Sequence, residues 1–280
     1  MIIKDFEYDG VLLSSKHYMV CTLGGNGLEP ASNGSKINFT TVPIRKGIYN
    51  QFISSGYSEC VTATFSICKD PCYNDDDMEI SILEYNDLAA WLNRRNFHRL
   101  TFDDAQYTHI NFDASFNLTR KEMNGKTYAI ELEMITNRPH AYLDEVEYSN
   151  SGIFSNFTID DSSNEEGFIY PKIELVATPD VAVGTTVKIT NNKDSGNPII
   201  IKNCRTGYTS IPDQSRTETI TFDYPTITTT NPYHEDISND FNWNFLKVVN
   251  KYGSKSNRIS ITPSGFNLKV RYNPILKIGL

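Results

Sequence analysis

A mostly β protein of two domains is what the sequence predicts, and three observations carry that expectation. The 280-residue chain holds 16 tyrosines and 15 phenylalanines beside many threonines and isoleucines, side chains that suit a pleated, half-buried surface. Segments such as Ile37–Val42 and Val61–Ile67 alternate apolar and polar residues, as strands with one buried face do. Asn124-Gly125 lies between two further segments, roughly Tyr107–Leu118 and Thr127–Ile135, and supplies the positive φ angles of a tight turn. A long β-hairpin is expected there.

One stretch departs from the pattern. Across Met78–Arg95, Ile80, Leu83, Leu88 and Trp91 fall on one face at helical spacing, which predicts a single amphipathic helix covering a sheet of the N-terminal half. Asp75-Asp76-Asp77 before it and Arg94-Arg95 at its end complement the helix dipole.

Domain organisation follows from composition. Residues 148–167 are rich in Ser, Asn, Asp and Gly, which favour turns over core, and mark a linker with one short strand around Ile153–Ile159. This divides the chain into an N-terminal β-sandwich-like domain with one helix and a long hairpin (1–147), a linker region (148–167) and a C-terminal β-sandwich (168–280). The last of these rests on short, evenly spaced strands without a helix between them: Tyr170–Ala177, Thr186–Asn191, Ile199–Lys202, Thr217–Tyr224, Phe245–Val249, Arg258–Thr262 and Phe266–Tyr272. Thr226–Thr230 reads as an exposed strand edge.

Charge and targeting signals narrow the function classes. A net charge of -8 disfavours stable nucleic-acid binding, because neutralising phosphates needs clustered Lys and Arg. No long apolar run suits membrane insertion, and Met1–Phe6 lacks a secretory pattern, so synthesis in a cytoplasm is expected. Cys21, Cys60, Cys68, Cys72 and Cys204 form an odd, irregular set that reads as reduced thiols. The sequons at Asn38, Asn117 and Asn156 are then plain strand residues.

Candidate chemistry is sparse. Leu23-Gly24-Gly25-Asn26-Gly27 lacks the Lys-Ser or Lys-Thr and the following helix of a phosphate loop, and reads as a turn between strands. Cys68-x3-Cys72, with Cys60 nearby, lacks the second ligand pair of a zinc site, and Asp75-Asp76-Asp77 lacks the alternating ligands of a calcium loop. The doublets Asp103-Asp104, Asp160-Asp161 and Glu165-Glu166 cannot form a hydrolytic pair by adjacency alone, since strand neighbours point to opposite faces. His17, His98, His109, His140 and His234 have no nucleophile in a family-like setting and read as surface or packing residues. Trp91 belongs to the helix's apolar stripe. Trp243, in Phe241-Asn242-Trp243-Asn244-Phe245, shares a face with both phenylalanines by alternation, most often the core, although aromatic faces also stack on sugars. No catalytic, cofactor-binding or metal-binding residue is therefore assigned, and no cofactor is expected.

The order of elements resembles the distal tail proteins of long-tailed, non-contractile bacteriophages. The matching pieces are the opening Ile2–Gly10 with its Tyr-Asp-Gly turn, Trp91-Leu92 to Leu100–Asp104, the strand Tyr128–Met134 and the exit Asn137–Tyr142. Tyr170–Leu175, Val187–Asn191, Glu218–Asp223 and Leu268–Pro274 follow in the second half. Gly253 and Asn257 are separated by three residues where that family often has a compact Gly-x-Asn turn.

The resemblance implies a galectin-like architecture for the C-terminal sandwich and a homohexameric ring assembled by the N-terminal domains. It implies a virion structural protein at the tail tip, joining the tail tube to the host-adsorption apparatus, with receptor-binding or other tail-tip proteins as partners. The hairpin and helix region would help adjacent copies join, and DNA would pass through without being held. Two other classes stand beside this one. An adhesin binding host cell-wall saccharides is suggested by the sandwich and the tyrosines, and a glycan-degrading enzyme would require paired carboxylates in a cleft.

Overall fold

The computed structural model describes residues 5–21, 36–43, 50–74, 77–102, 110–150, 155–178, 181–182, 184–194, 197–204, 218–231, 234 and 237–277. The chain is mostly β and divides into two compact units, residues 1–144 with 276–280, and residues 145–275.

Unit 1 begins with β1 (Phe6–Tyr8), β2 (Val11–Leu12) and β3 (Tyr18–Cys21). The Tyr-Asp-Gly opening is the two-residue turn between β1 and β2, where Asp9 (φ 52°) and Gly10 (φ 77°) take the left-handed angles that close a tight hairpin. Next come β4 (Ile37–Pro43), β5 (Asn50–Tyr57) and β6 (Thr62–Lys69), the short turn α1 (Pro71–Asn74) and the helix α2 (Ile82–Leu92). β7 (His98–Phe102), β8 (Ile110–Met123), β9 (Lys126–Thr136) and β10 (Ala141–Tyr142) complete the run. The main sheet is antiparallel in the order β2-β1-β7-β8-β9-β6-β3, with β10 beside β8. The expected long hairpin is β8–β9. Asn124 (φ 54°) and Gly125 (φ 76°) turn it, and Met123 pairs with Lys126.

The helix is shorter than its periodicity predicts, because local hydrogen bonds set its ends. The Ser81 hydroxyl accepts from Glu84 N while the Glu84 carboxylate accepts from Ser81 N, a reciprocal cap that starts the helix after Asp77 and Ile80. Arg94 lies beyond the last turn and its guanidinium pairs with Asp9. Leu88, Trp91 and Leu92 are buried, as is Ile80 ahead of the cap, whereas Leu83, expected on the inner face, is 72% exposed.

The helix seats on an aromatic core. The Phe6 ring stacks on Trp91 at 6.1 Å and meets Phe65, Phe102 and Phe116 within 6.3 Å. Tyr8 is edge-on to Trp91 and Phe116, and the indole Nε1 donates to Tyr8 O at 3.3 Å.

Unit 2 is a β-sandwich. One antiparallel sheet has the order β11 (Val146–Ser149), β21 (Phe266–Tyr272), β14 (Lys172–Ala177), β17 (Thr219–Asp223), β18 (Thr226–Thr229). The other has β12 (Asn156–Asp160), β20 (Ser256–Thr262), β15 (Thr185–Asn191), β16 (Ile199–Cys204). A two-stranded piece pairs β13 (Gly167–Ile169) with β19 (Val248–Asn250), and α3 (Ile237–Asp240) is a single turn. Alternate residues of both sheets fill one core, including Ile173, Leu175, Phe222, Leu268 and Val270 from the first and Ile159, Val187, Ile189, Ile201 and Ile261 from the second.

β18 is a sheet edge, as its threonines predict. In the segment expected as a linker with one short strand around Ile153–Ile159, β12 pairs with β20, and β11 and β13 overlap the two ends of the segment. The chain then returns. β22 (Ile275–Leu276) pairs with β10, and Leu276 is buried in the core of unit 1.

Truncating the central indole tests the seating of the helix. Trp91→Ala is predicted to lower the stability of unit 1 by about 3–5 kcal/mol, the range for emptying a buried aromatic site. An unchanged urea midpoint for the unit 1 transition would mean that the helix is not held by this cluster.

Candidate functional site

The sequence candidates for chemistry are scattered when placed on the fold. Asp103, Asp104 and His109 and the segment 23–27 lie outside the described residues. Asp160 is exposed while Asp161 is buried and accepts from Ser163 and Tyr272, so the two carboxylates do not converge. Glu166 accepts from Tyr252 N, and the Glu165 carbonyl accepts from the Asn250 amide. Among the described residues no group of three or more His, Cys, Asp or Glu side chains is arranged to hold a metal ion.

The cysteines are free. Cys60 and Cys72 are exposed, whereas burial pushes the thiols of Cys21, beside Cys68, and Cys204 up to about 12.

Unit 1 has an open cleft of about 570 Å³ lined by Glu7, Asp9, Gly10, Arg99, Thr101 and Asp144. Three of its four charged residues are paired. Arg99 donates to Asp144 at 2.7 Å and to Asn111 at 2.9 Å. The Arg94 guanidinium, 2.5 Å from Asp9, holds the Asp9 carboxyl below the usual carboxylate range. A carboxyl kept ionised in this way is a poor proton donor.

Two placements were not legible in the sequence. His234, expected at the surface or in packing, is buried with Nδ1 2.6 Å from Glu218 Oε1 and Nε2 2.9 Å from Asp240 Oδ2. The carboxylates are anchored in turn, Glu218 by Thr229 Oγ1 and Asp240 by the Asn203 amide. Trp243 does not share the core with Phe241. Its backbone takes φ 59°, which breaks the alternation, and the indole is 55% exposed with Nε1 donating to Ser238 O.

The largest departure from expectation is in β4 and β5. Alternation predicts one buried face for Ile37–Val42, yet the strand is exposed along nearly its whole length. β4 and β5 pair with each other, through a bulge between Thr40 and Thr41, and with no other strand among the described residues. Phe39, Val42, Phe52 and Ile53 are 49 to 66% exposed on this ribbon. Its segment 36–57 contains Lys36, Arg45 and Lys46 and no acidic residue, on a chain of net charge -8. A ribbon with exposed apolar side chains, its outer edges unpaired among the described residues, is suited to association.

The β8–β9 hairpin differs. Its outer half is braced within unit 1, with Arg120 over the Tyr85 ring at 5.6 Å and Lys126 2.5 Å from Glu79.

A β-rich two-unit chain with an exposed, apolar two-stranded ribbon has the character of a structural, assembling protein. Comparison with known families agrees: residues 1–138 match the phage tail protein N-terminal domain and residues 140–272 the phage tail C-terminal domain. The chain belongs to this phage tail protein family. Among solved structures it is similar to SPP1 Dit (gp 19.1), described as a paradigm of the hub adsorption apparatus in phages infecting Gram-positive bacteria. The TM-score is 0.63 at 10% identity, over 98% of this chain and 99% of that one, and the fold is thus that of a distal tail protein. No curated protein matches.

Two outcomes follow from the geometry of unit 2 and the thiols. His234→Ala removes the ring that contacts both Glu218 and Asp240, and a loss of about 1–3 kcal/mol is predicted for unit 2 from urea unfolding, the cost of leaving a buried hydrogen-bonding group unsatisfied. A loss below 1 kcal/mol would show the cluster to be hydrated and weak. With a maleimide at pH 8, Cys60 and Cys72 should react in the native protein. Cys204 should react only after unfolding, because the thiolate is the nucleophile; rapid native labelling of Cys204 by mass spectrometry would contradict its placement.

Proposed function

We propose that the chain is a structural component of the distal end of a phage tail, where copies of unit 1 join around an axis into a ring between tail tube and adsorption apparatus. The observation that carries this reading is the β4–β5 ribbon, exposed on both faces and unpaired at its edges among the described residues. Laid on a second copy, it buries Phe39 and Phe52. A head-to-tail contact of this kind closes into a ring when its rotation divides the circle, and six copies is the number that the distal-tail resemblance implies. The similarity to a hub adsorption protein supports the position at the tail tip and partners above and below the ring.

The β8–β9 tip remains a secondary candidate for intersubunit contact. Its bracing against Tyr85 and Glu79 makes the ribbon the better one. The β-sandwich fold of unit 2 supports a galectin-like architecture for that unit.

The test is sedimentation of the full chain at several concentrations, compared with the double variant Phe39→Asp, Phe52→Asp. The wild-type protein should associate, and the variant should stay monomeric with the same far-ultraviolet circular dichroism. Wild-type and variant proteins that sediment alike would exclude the ribbon as the joining element.

A further inference from the structure

Two of the free cysteines meet on the outer face of the unit 1 sheet, at its β3 edge. β3 and β6 are antiparallel, with Met19 opposite Cys68 and Cys21 opposite Ser66. Paired residues share a face of the sheet, as do residues two apart on one strand, so Cys21, Cys68 and Met19 stand on the same side. That side is turned from the core, because the intervening Val20, Phe65 and Ile67 pack into it. The two thiols are in contact and half-buried: burial, then a hydrogen bond with Cys68, pushes the Cys21 thiol up to about 12.

Geometry and softness decide what the pair can hold. Diagonal neighbours on antiparallel strands lie about 7–8 Å apart between Cα atoms, beyond the span of about 4.4–6.8 Å usual for a disulfide. An ion between the sulfurs needs no such approach, since metal–sulfur bonds of about 2.3 Å hold the two sulfurs well apart. Met19 puts a thioether directly opposite Cys68, and thiolate and thioether sulfur favour copper(I) over oxygen-seeking cations. The acid that the register brings to this face, Glu131 opposite Ser66, is paired with Lys121 at 2.7 Å. Two cysteines fall short of the tetrahedral ligand set of a structural zinc site, whereas copper(I) accepts fewer ligands.

We propose that Cys21 and Cys68 form a binding site for a single copper(I) ion, held between their two thiolates on the outer face of the β3 edge. Binding breaks both S–H bonds and forms two S–Cu bonds. The two protons pass to solvent, no electron is transferred, and the product is a bis(thiolate) complex with one net negative charge. Because the ion displaces protons, its affinity rises with pH. The ribbon takes no part, so the site does not depend on association between copies.

Anaerobic copper(I) titration of the full chain, in competition with bathocuproine disulfonate, tests this. The chain used carries Cys60→Ser and Cys72→Ser, which removes the exposed thiols. It should bind one copper, release two protons to a pH indicator in weak buffer, and bind more tightly at pH 8 than at about pH 6. Adding Cys21→Ser or Cys68→Ser should weaken binding beyond the roughly 10- to 100-fold that follows loss of a merely supporting residue. Copper K-edge absorption of the loaded chain should show sulfur ligands. The proposal fails if no copper binds, if either added substitution leaves the affinity unchanged while circular dichroism shows a folded chain, or if the ligands are nitrogen or oxygen. It also fails if peptide mapping after exposure to air finds a Cys21–Cys68 disulfide, which would make the pair a redox link.

Discussion

The packing of Phe6 against Trp91, Phe65, Phe102 and Phe116 is the constraint on which unit 1 depends. Through it the first strand, the helix, the sheet centre and the long hairpin share one core, although they come from distant parts of the chain. Exposed apolar side chains occur elsewhere in unit 1, at Leu12, Ile82, Leu83 and Met123, but Phe39, Val42, Phe52 and Ile53 gather on β4 and β5, outside the main sheet.

Local codes in the sequence were the most legible part of the fold. Asn124-Gly125 announces its hairpin because positive φ at both positions is a requirement few residues meet. The unit 2 strands were visible from alternation, since both sheets bury one face each. The helix ends were less so. Periodicity extended the helix to Met78 and Arg95, but the Ser81–Glu84 cap and the attraction of Arg94 to Asp9 decide where it starts and stops.

Burial was the harder inference, because alternation reveals a strand and not what lies across from it. Ile37–Val42 has the pattern of a half-buried strand and is exposed, since its only described strand partner is β5. Trp243 illustrates the complementary failure: a single left-handed backbone angle turns a residue patterned for the core toward water. The cluster of Glu218, His234 and Asp240 was invisible for another reason. Its members are separated in sequence, and only the sandwich brings them together. The candidate sites were thus legible as residue types and illegible as constellations, and the ribbon emerged only from exposure.

The return of Leu276 to the core of unit 1 makes unit 2 an insert between two paired short strands, β10 and β22, and not an appended tail. Because entry and exit meet at adjacent strands, the inserted sandwich can be exchanged or elaborated without breaking the framework that receives it.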